Sequence, residues 1–220
     1  MAIVEFDDVF VKYETYTGGV LALRGVTFTL GEKEAVVLMG PSGSGKTTVL
    51  KAILGLVQPM HGFVRVFGVE PKDEKEALSV RRRLGYLTQE GTMINELTVW
   101  ENTVFYAQGR GKKLDEKKVR ELAEKLNIGE ILDKHPNQLS GGELKRAELL
   151  MVLSDGPELL LLDEPTSMLD AENSMIIVEL LSELKGKVPM LITSHDPRLR
   201  GISDRVLAIV GGELKKDWRD

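Results

Sequence analysis

Residues 40–47 read GPSGSGKT, a G-x-x-x-x-G-K-[ST] pattern whose fixed positions are Gly40, Gly45, Lys46 and Thr47. The chemistry that needs this pattern is phosphate binding. Glycines let the backbone wrap tightly, so that its N–H groups converge on phosphate oxygens. Lys46 adds a mobile positive charge for β- and γ-phosphates, and the Thr47 hydroxyl offers Mg²⁺ a hard oxygen. The expected phosphate cradle is Gly40, Pro41, Ser42, Gly43, Ser44, Gly45, Lys46, Thr47 and Thr48.

Three further polar groups each follow an apolar run: Gln89 after LGYLT, Asp163 and Glu164 after ELLLL, and His195 beyond VPMLIT. Their chemistry fits phosphoryl transfer to water, which asks for charge neutralisation and a placed nucleophile and little covalent work. Asp163 is expected to hold Mg²⁺ directly or through water. Gln89, both donor and acceptor, suits a contact to a water or to the metal. Glu164 can accept a proton from the attacking water, a role contributing about 10²–10⁴-fold. His195 can donate to the γ-phosphate. The expected catalytic set is Glu164, His195, Gln89 and Lys46, and the metal set is Thr47, Gln89 and Asp163.

The elements that must position these groups follow from periodicity. The runs at 35–39, 158–162 and 188–193 are nearly continuous in apolar residues, as strands buried on both faces should be. Helical patterns over 47–53, 140–154 and 171–185 alternate with them, which implies a mostly parallel sheet with ligands beyond its carboxyl ends. Segments 3–12 and 22–30, separated by a short turn, should pair antiparallel, and 204–210 with 213–218 should close the chain as a hairpin. Residues 90–139 change character, with amphipathic helices at 98–108 and 115–126. The fold expected is α/β, with a P-loop core of mostly parallel sheet, an N-terminal antiparallel β part and an inserted helical subdomain. The core comprises 1–89 and 140–220 within one domain, and 90–139 forms the insert. Ser140 and Glu143 have the spacing of a capping box, and Asp170 is a candidate N-cap.

Composition bounds the rest. The chain has 220 residues, 42% hydrophobic and 29% charged, with net charge -5 and no cysteine. That excludes disulfides and thiolate chemistry, and argues against nonspecific nucleic-acid binding. The segment MAIVEFDDVF lacks the basic region and apolar stretch of a signal peptide, and no run approaches a membrane span.

In their order along the chain these motifs resemble the ATP-binding-cassette (ABC) ATPases, specifically the nucleotide-binding domain of ABC transporters. GPSGSGKT is similar to the Walker A loop and Gln89 to the Q-loop. LSGGE at 139–143 is similar to the signature motif, LLLLDEP at 159–165 to Walker B, 167–170 to the D-loop and His195 to the switch histidine. Tyr13 falls where the family has an aromatic that stacks on adenine, with Tyr16 as the fallback. The resemblance implies a head-to-tail homodimer or paired ABC subunit that sandwiches two Mg-ATP. Ser140, Gly141 and Gly142 then face the γ-phosphate bound by the other subunit. The expected partners are integral membrane permease subunits, the expected location the cytoplasmic face of the cell membrane, and neither nucleic acid nor membrane insertion is expected. The other class carried is a soluble ABC ATPase that assists iron–sulfur cluster assembly. The signature usually ends in Gln, and Glu143 is expected to turn back onto the Ser140 N–H. Capping and phosphate binding should not compete there, because Ser140 has both a hydroxyl and a backbone N–H. Met93, Ile94 and Trp100 are candidates for a docking surface, or else for core.

Overall fold

The computed structural model describes residues 1–15 and 18–219. In chain order its regular elements are strands β1 (Ala2–Thr15), β2 (Gly18–Gly31) and β3 (Ala35–Met39), helix α1 (Lys46–Ile53), β4 (His61–Val66), α2 (Glu74–Arg81) and β5 (Leu84–Leu87). Helices α3 (Val99–Gly109), α4 (Glu116–Lys125) and α5 (Gly141–Leu153) follow, then β6 (Leu159–Asp163), α6 (Ala171–Leu184), β7 (Met190–Ser194), β8 (Arg205–Val210) and β9 (Glu213–Arg219).

Two sheets form. One is antiparallel, in the order β2-β1-β4, and the other has six strands, β5-β6-β7-β3-β8-β9. The larger sheet is parallel except for β9, which pairs antiparallel with β8. Its central strands are covered on both faces, which is why they read as unbroken apolar runs. The period-2 alternation of a strand then sorts their side chains. Val36, Leu38, Leu159 and Leu161 enter one apolar cluster, with α1 and the antiparallel sheet. Ala35, Val37, Leu160 and Leu162 enter the other, with α5 and α6. Each such leucine is fully buried and contributes about 1.5–3 kcal/mol.

Among the described residues, 90–139 carries α3, α4 and two short 3-10 turns and no strand. It does not build a core of its own. Val99, Val119, Ala123, Leu126 and Ile131 join the same cluster as Leu160 and Leu162. Met93 and Trp100 also pack against that cluster, whereas Ile94 remains exposed. Of the three docking candidates, only Ile94 therefore faces outward.

Candidate functional site

The parallel strands end together and bring the expected groups to one edge. A cleft of about 440 Å³ is lined by Ser42 to Thr48, Gln89, Glu164, Ser167 and His195. The loop from Gly40 to Gly45 needs its glycines. A Cβ at Gly40 would meet the Ile209 carbonyl oxygen at 2.1 Å, and one at Gly45 would meet that of Ala22 at 2.6 Å. Gly45 also has φ 105°, in the left-handed region. The loop is tied back at Ser44, whose carbonyl accepts from the Gly212 amide at 3.0 Å, while the Gly212 carbonyl accepts from Arg24 at 2.9 Å. In the hairpin expected from 204–210 and 213–218, Gly211-Gly212 has only the duty of a turn. The second duty arises because the β8–β9 turn lands on the phosphate loop, which no local pattern announces.

The cleft suits a phosphate. Helix α1 starts at Gly45 with no side-chain cap and no acidic residue in its first turn, so its leading amides stay available to an anion. The Ser44 hydroxyl is buried with no partner among the described residues. Lys46 is 8% exposed. Its ammonium donates to the carbonyls of Gly40 (2.7 Å) and Pro41 (3.2 Å) and lies 3.4 Å from Glu164 Oε1.

Glu164 sits between two donors. Its other oxygen, Oε2, is 2.9 Å from Nδ1 of His195, whose side chain is 74% exposed. The backbone of Glu164 holds φ 51°, a conformation that costs a side-chain-bearing residue energy and clusters at working sites. Thr193 fixes it there, because its hydroxyl accepts from the Glu164 amide at 3.1 Å and donates to Asp163 Oδ1 at 2.5 Å.

Asp163 is 1% exposed, and no cation pairs with it among the described residues. It lines a second cleft of about 410 Å³ together with Thr47, Gln89 and Tyr86. Burial and the Asp163 carboxylate push the Tyr86 hydroxyl up to about 12, so it stays a neutral donor. A hydroxyl, an amide and a buried uncompensated carboxylate make an all-oxygen set that fits Mg²⁺.

Two expectations fall outside this edge. Tyr13 packs partly against the core opposite Val20, and Val20 rather than Tyr13 lines the cleft. Tyr16 lies outside the described residues. The turn Ser140-Gly141-Gly142 also lies away from the cleft, at the start of α5. There the capping box forms, with the Glu143 amide donating to Ser140 Oγ at 3.3 Å. Glu143 does turn back onto Ser140, but it takes both donors. Its Oε2 accepts from the Ser140 N–H (2.8 Å) and from the hydroxyl (2.7 Å). The expectation that capping and phosphate binding would not compete is therefore corrected, since one carboxylate oxygen holds both groups.

The comparisons with known proteins agree with this arrangement. The family model for ABC transporters matches residues 23–167, about two thirds of the chain. The chain belongs to the ABC transporter family. It is 36% identical over 204 residues to an ABC transporter ATP-binding protein of Methanopyrus kandleri, covering 90% of this chain and 75% of that one. It is 31% identical over 230 residues to a phosphonates import ATP-binding protein of a Synechococcus strain, covering 98% and 84%. Among solved structures it resembles the dimeric ATP-binding cassette MJ0796 in a post-hydrolysis state with ADP and Pi, at TM-score 0.88 and 29% identity, with 98% of each chain covered. As a member of the ABC transporter family the chain binds ATP and hydrolyses it.

Elsewhere on this ABC cassette, an apolar groove of about 410 Å³ runs between β5 and α3, lined by Leu54, Tyr86, Ile94, Phe105, Tyr106 and Met151. Phe105 is 59% exposed. Nearby, the Arg110 Nε lies 2.9 Å from the covered side chain of Asp155, and Arg110 donates to the Tyr106 hydroxyl at 2.8 Å. Burial raises the Asp155 carboxyl above the usual range.

Proposed function

We propose that this cassette works as a head-to-tail dimer that closes on two Mg-ATP and drives membrane permease subunits. The observation that carries the reading is the separation of two halves. The phosphate cleft has its base, cation and metal set in one chain, while the signature turn lies away from it. A second copy, or a paired ABC subunit, supplies the missing turn.

In this reading the amides of the Walker A loop and α1 cradle the phosphates, and Lys46 swings from the Gly40 and Pro41 carbonyls onto the β- and γ-oxygens. Thr47, Gln89 and Asp163 hold Mg²⁺, which neutralises charge on the phosphates when bound. Glu164 takes a proton from the attacking water, and His195 holds Glu164 in place through Nδ1. A neutral imidazole has one N–H, so while Nδ1 gives it to Glu164, Nε2 has none for the γ-phosphate. His195 serves both partners only as the charged ring. Ser140, Gly141 and Gly142 reach the γ-phosphate of the other subunit, and Ser140 then exchanges Glu143 for a phosphate oxygen.

The groove under Phe105 and Ile94 suits a short amphipathic helix, and we assign it to the permease. The 90–139 stretch acts as the arm that carries one wall of it. This puts the cassette on the cytoplasmic face of a membrane, although no helix among the described residues is long and apolar enough to cross one. The test is isolation of the Glu164→Gln variant from native cells in mild detergent with Mg-ATP. A polytopic membrane protein is expected with the wild-type groove and is lost with Phe105→Arg. Recovery of soluble partners alone overturns the transport half and leaves the ATP site intact.

A further inference from the structure

The signature helix carries a buried ion pair that nucleotide chemistry alone does not require. Lys145 and Glu148 lie on α5 and are 8% and 2% exposed, with Lys145 Nζ 3.2 Å from Glu148 Oε2. Two unlike charges taken out of water are costly unless their remaining valences are met. Here they are met by one short segment. The Lys145 ammonium donates to the carbonyl of Thr88 at 3.1 Å and to that of Gln89 itself at 3.2 Å. Glu148 Oε1 accepts from the Thr92 amide at 3.1 Å. It lies so close under Gly91 that a Cβ there would approach it to 2.2 Å. Residues 88–92 line the cleft shared with Thr47 and Asp163, and Thr88 and Thr92 also line the apolar groove.

The geometry points to Lys145 and Glu148 as positioning residues for Gln89. Resting on the proposed role of Gln89 at Mg²⁺, the pair fixes the Gln89 backbone to the helix that begins at the signature turn. Segment 88–92 and α5 then move as one body. A displacement at the groove reaches Gln89 and the signature turn together, rather than the Gln89 loop alone. Neither Lys145 nor Glu148 lines the phosphate cleft or the cleft shared by Thr47 and Asp163. The effect of the pair runs through where Gln89 stands.

Removing Lys145 alone strands a buried carboxylate, so the test uses the double variant Lys145→Met/Glu148→Gln, which keeps an acceptor for the Thr92 amide. Four full-length proteins are compared: wild type, Gln89→Ala, the double variant and the triple. The readouts are kcat, KM for ATP, the Mg²⁺ concentration for half-maximal rate, and Tm. The double variant is expected to lose about 10-fold in kcat and to need about 10-fold more Mg²⁺, since sub-ångström misplacement of a catalytic contact carries factors of that size. KM for ATP should stay within about two-fold, because the Walker A loop is untouched. The triple variant should be no slower than Gln89→Ala, because both changes act through one group. Should the double variant fail to fold, Lys145→Gln/Glu148→Gln, with a neutral donor and acceptor in place, takes its position in the same cycle. If the triple falls below Gln89→Ala by the full factor seen alone, the pair acts independently and the proposal is overturned. A Gln89→Ala protein with wild-type kcat and Mg²⁺ demand instead sinks the reading of Gln89, and the proposal with it.

Discussion

Helices α1 and α5 both point an N-terminus at a functional turn, and they dispose of their free amides in opposite ways. Helix α1 begins at a glycine with no side-chain cap, and no carboxylate lies in its first turn. Helix α5 begins at Ser140 with a complete capping box, and the Glu143 carboxylate fills the position where an anion would sit. The first N-terminus is left to a ligand, while at the second the Ser140 N–H and hydroxyl and the Glu143 amide are engaged within the turn. The phosphate cleft is thus ready in the free subunit. In the proposed head-to-tail dimer, the signature turn gives up a bond to its own side chain to serve another subunit's nucleotide, so that closure exchanges one anion for another.

The largest expected effect lies on the α1 side. Glu164→Gln should lower hydrolysis by about 10²–10⁴-fold while leaving ATP bound, because an amide cannot take the water's proton. Single-turnover rates beside equilibrium ATP binding check this, and a variant that hydrolyses within ten-fold of wild type would remove Glu164 from the role of base. His195→Ala should follow with a smaller loss of about 10²-fold in kcat, since Glu164 loses the donor at Oε2 but keeps Lys46. Loss of kcat with KM for ATP little changed is the expected split.

On the α5 side the effects should be small. Glu143→Gln keeps a capping-box acceptor for Ser140, so hydrolysis should stay within a few-fold, and a loss of 100-fold or more would mean that the carboxylate itself is needed. Its pH dependence sharpens the contrast. The Ser140 backbone N–H and hydroxyl hold the Glu143 carboxyl below the usual carboxylate range. A carboxyl lowered in the folded state stabilises above its unfolded pKa, and that stability is lost as pH falls through the folded one. The Tm advantage of wild type over Glu143→Gln should therefore be fully present above the ordinary carboxylate range and shrink as pH falls below that range and through the lowered folded-state value. An advantage that is flat or grows as pH falls contradicts the bond.

Much of this was legible in the residues, for reasons that differ by region. Strands such as β6 announce themselves because both faces are buried, and the phosphate loop because its spacing is dictated by phosphate. Caps at Ser140 and Asp170 are local, within three residues, and their partners are found at that spacing. What escaped reading depends on contacts between distant segments. Lys145 meets Gln89 across 56 positions, and the Gly212 amide meets the Ser44 carbonyl across the sheet. Lys145 and Glu148 stand three residues apart on one helix, and nothing in that spacing announces segment 88–92 as their neighbour. Met93 and Trp100 looked as free as Ile94, because nothing in an amphipathic pattern tells which apolar residues another segment will cover.

The central claim is that a working site takes its phosphate cleft from one subunit and its signature turn from another. Mixing two variants tests it most directly: Lys46→Ala, broken in the cleft, and Ser140→Trp, broken in the turn, each nearly inactive alone. In a head-to-tail dimer a mixed pair holds one site with both defects and one with neither. Random reassociation of equal amounts should then restore about a quarter of the wild-type ATPase rate, since half the dimers are mixed and half their sites intact. A mixture no more active than its separate components would mean that cleft and turn work within one chain, and would contradict the account.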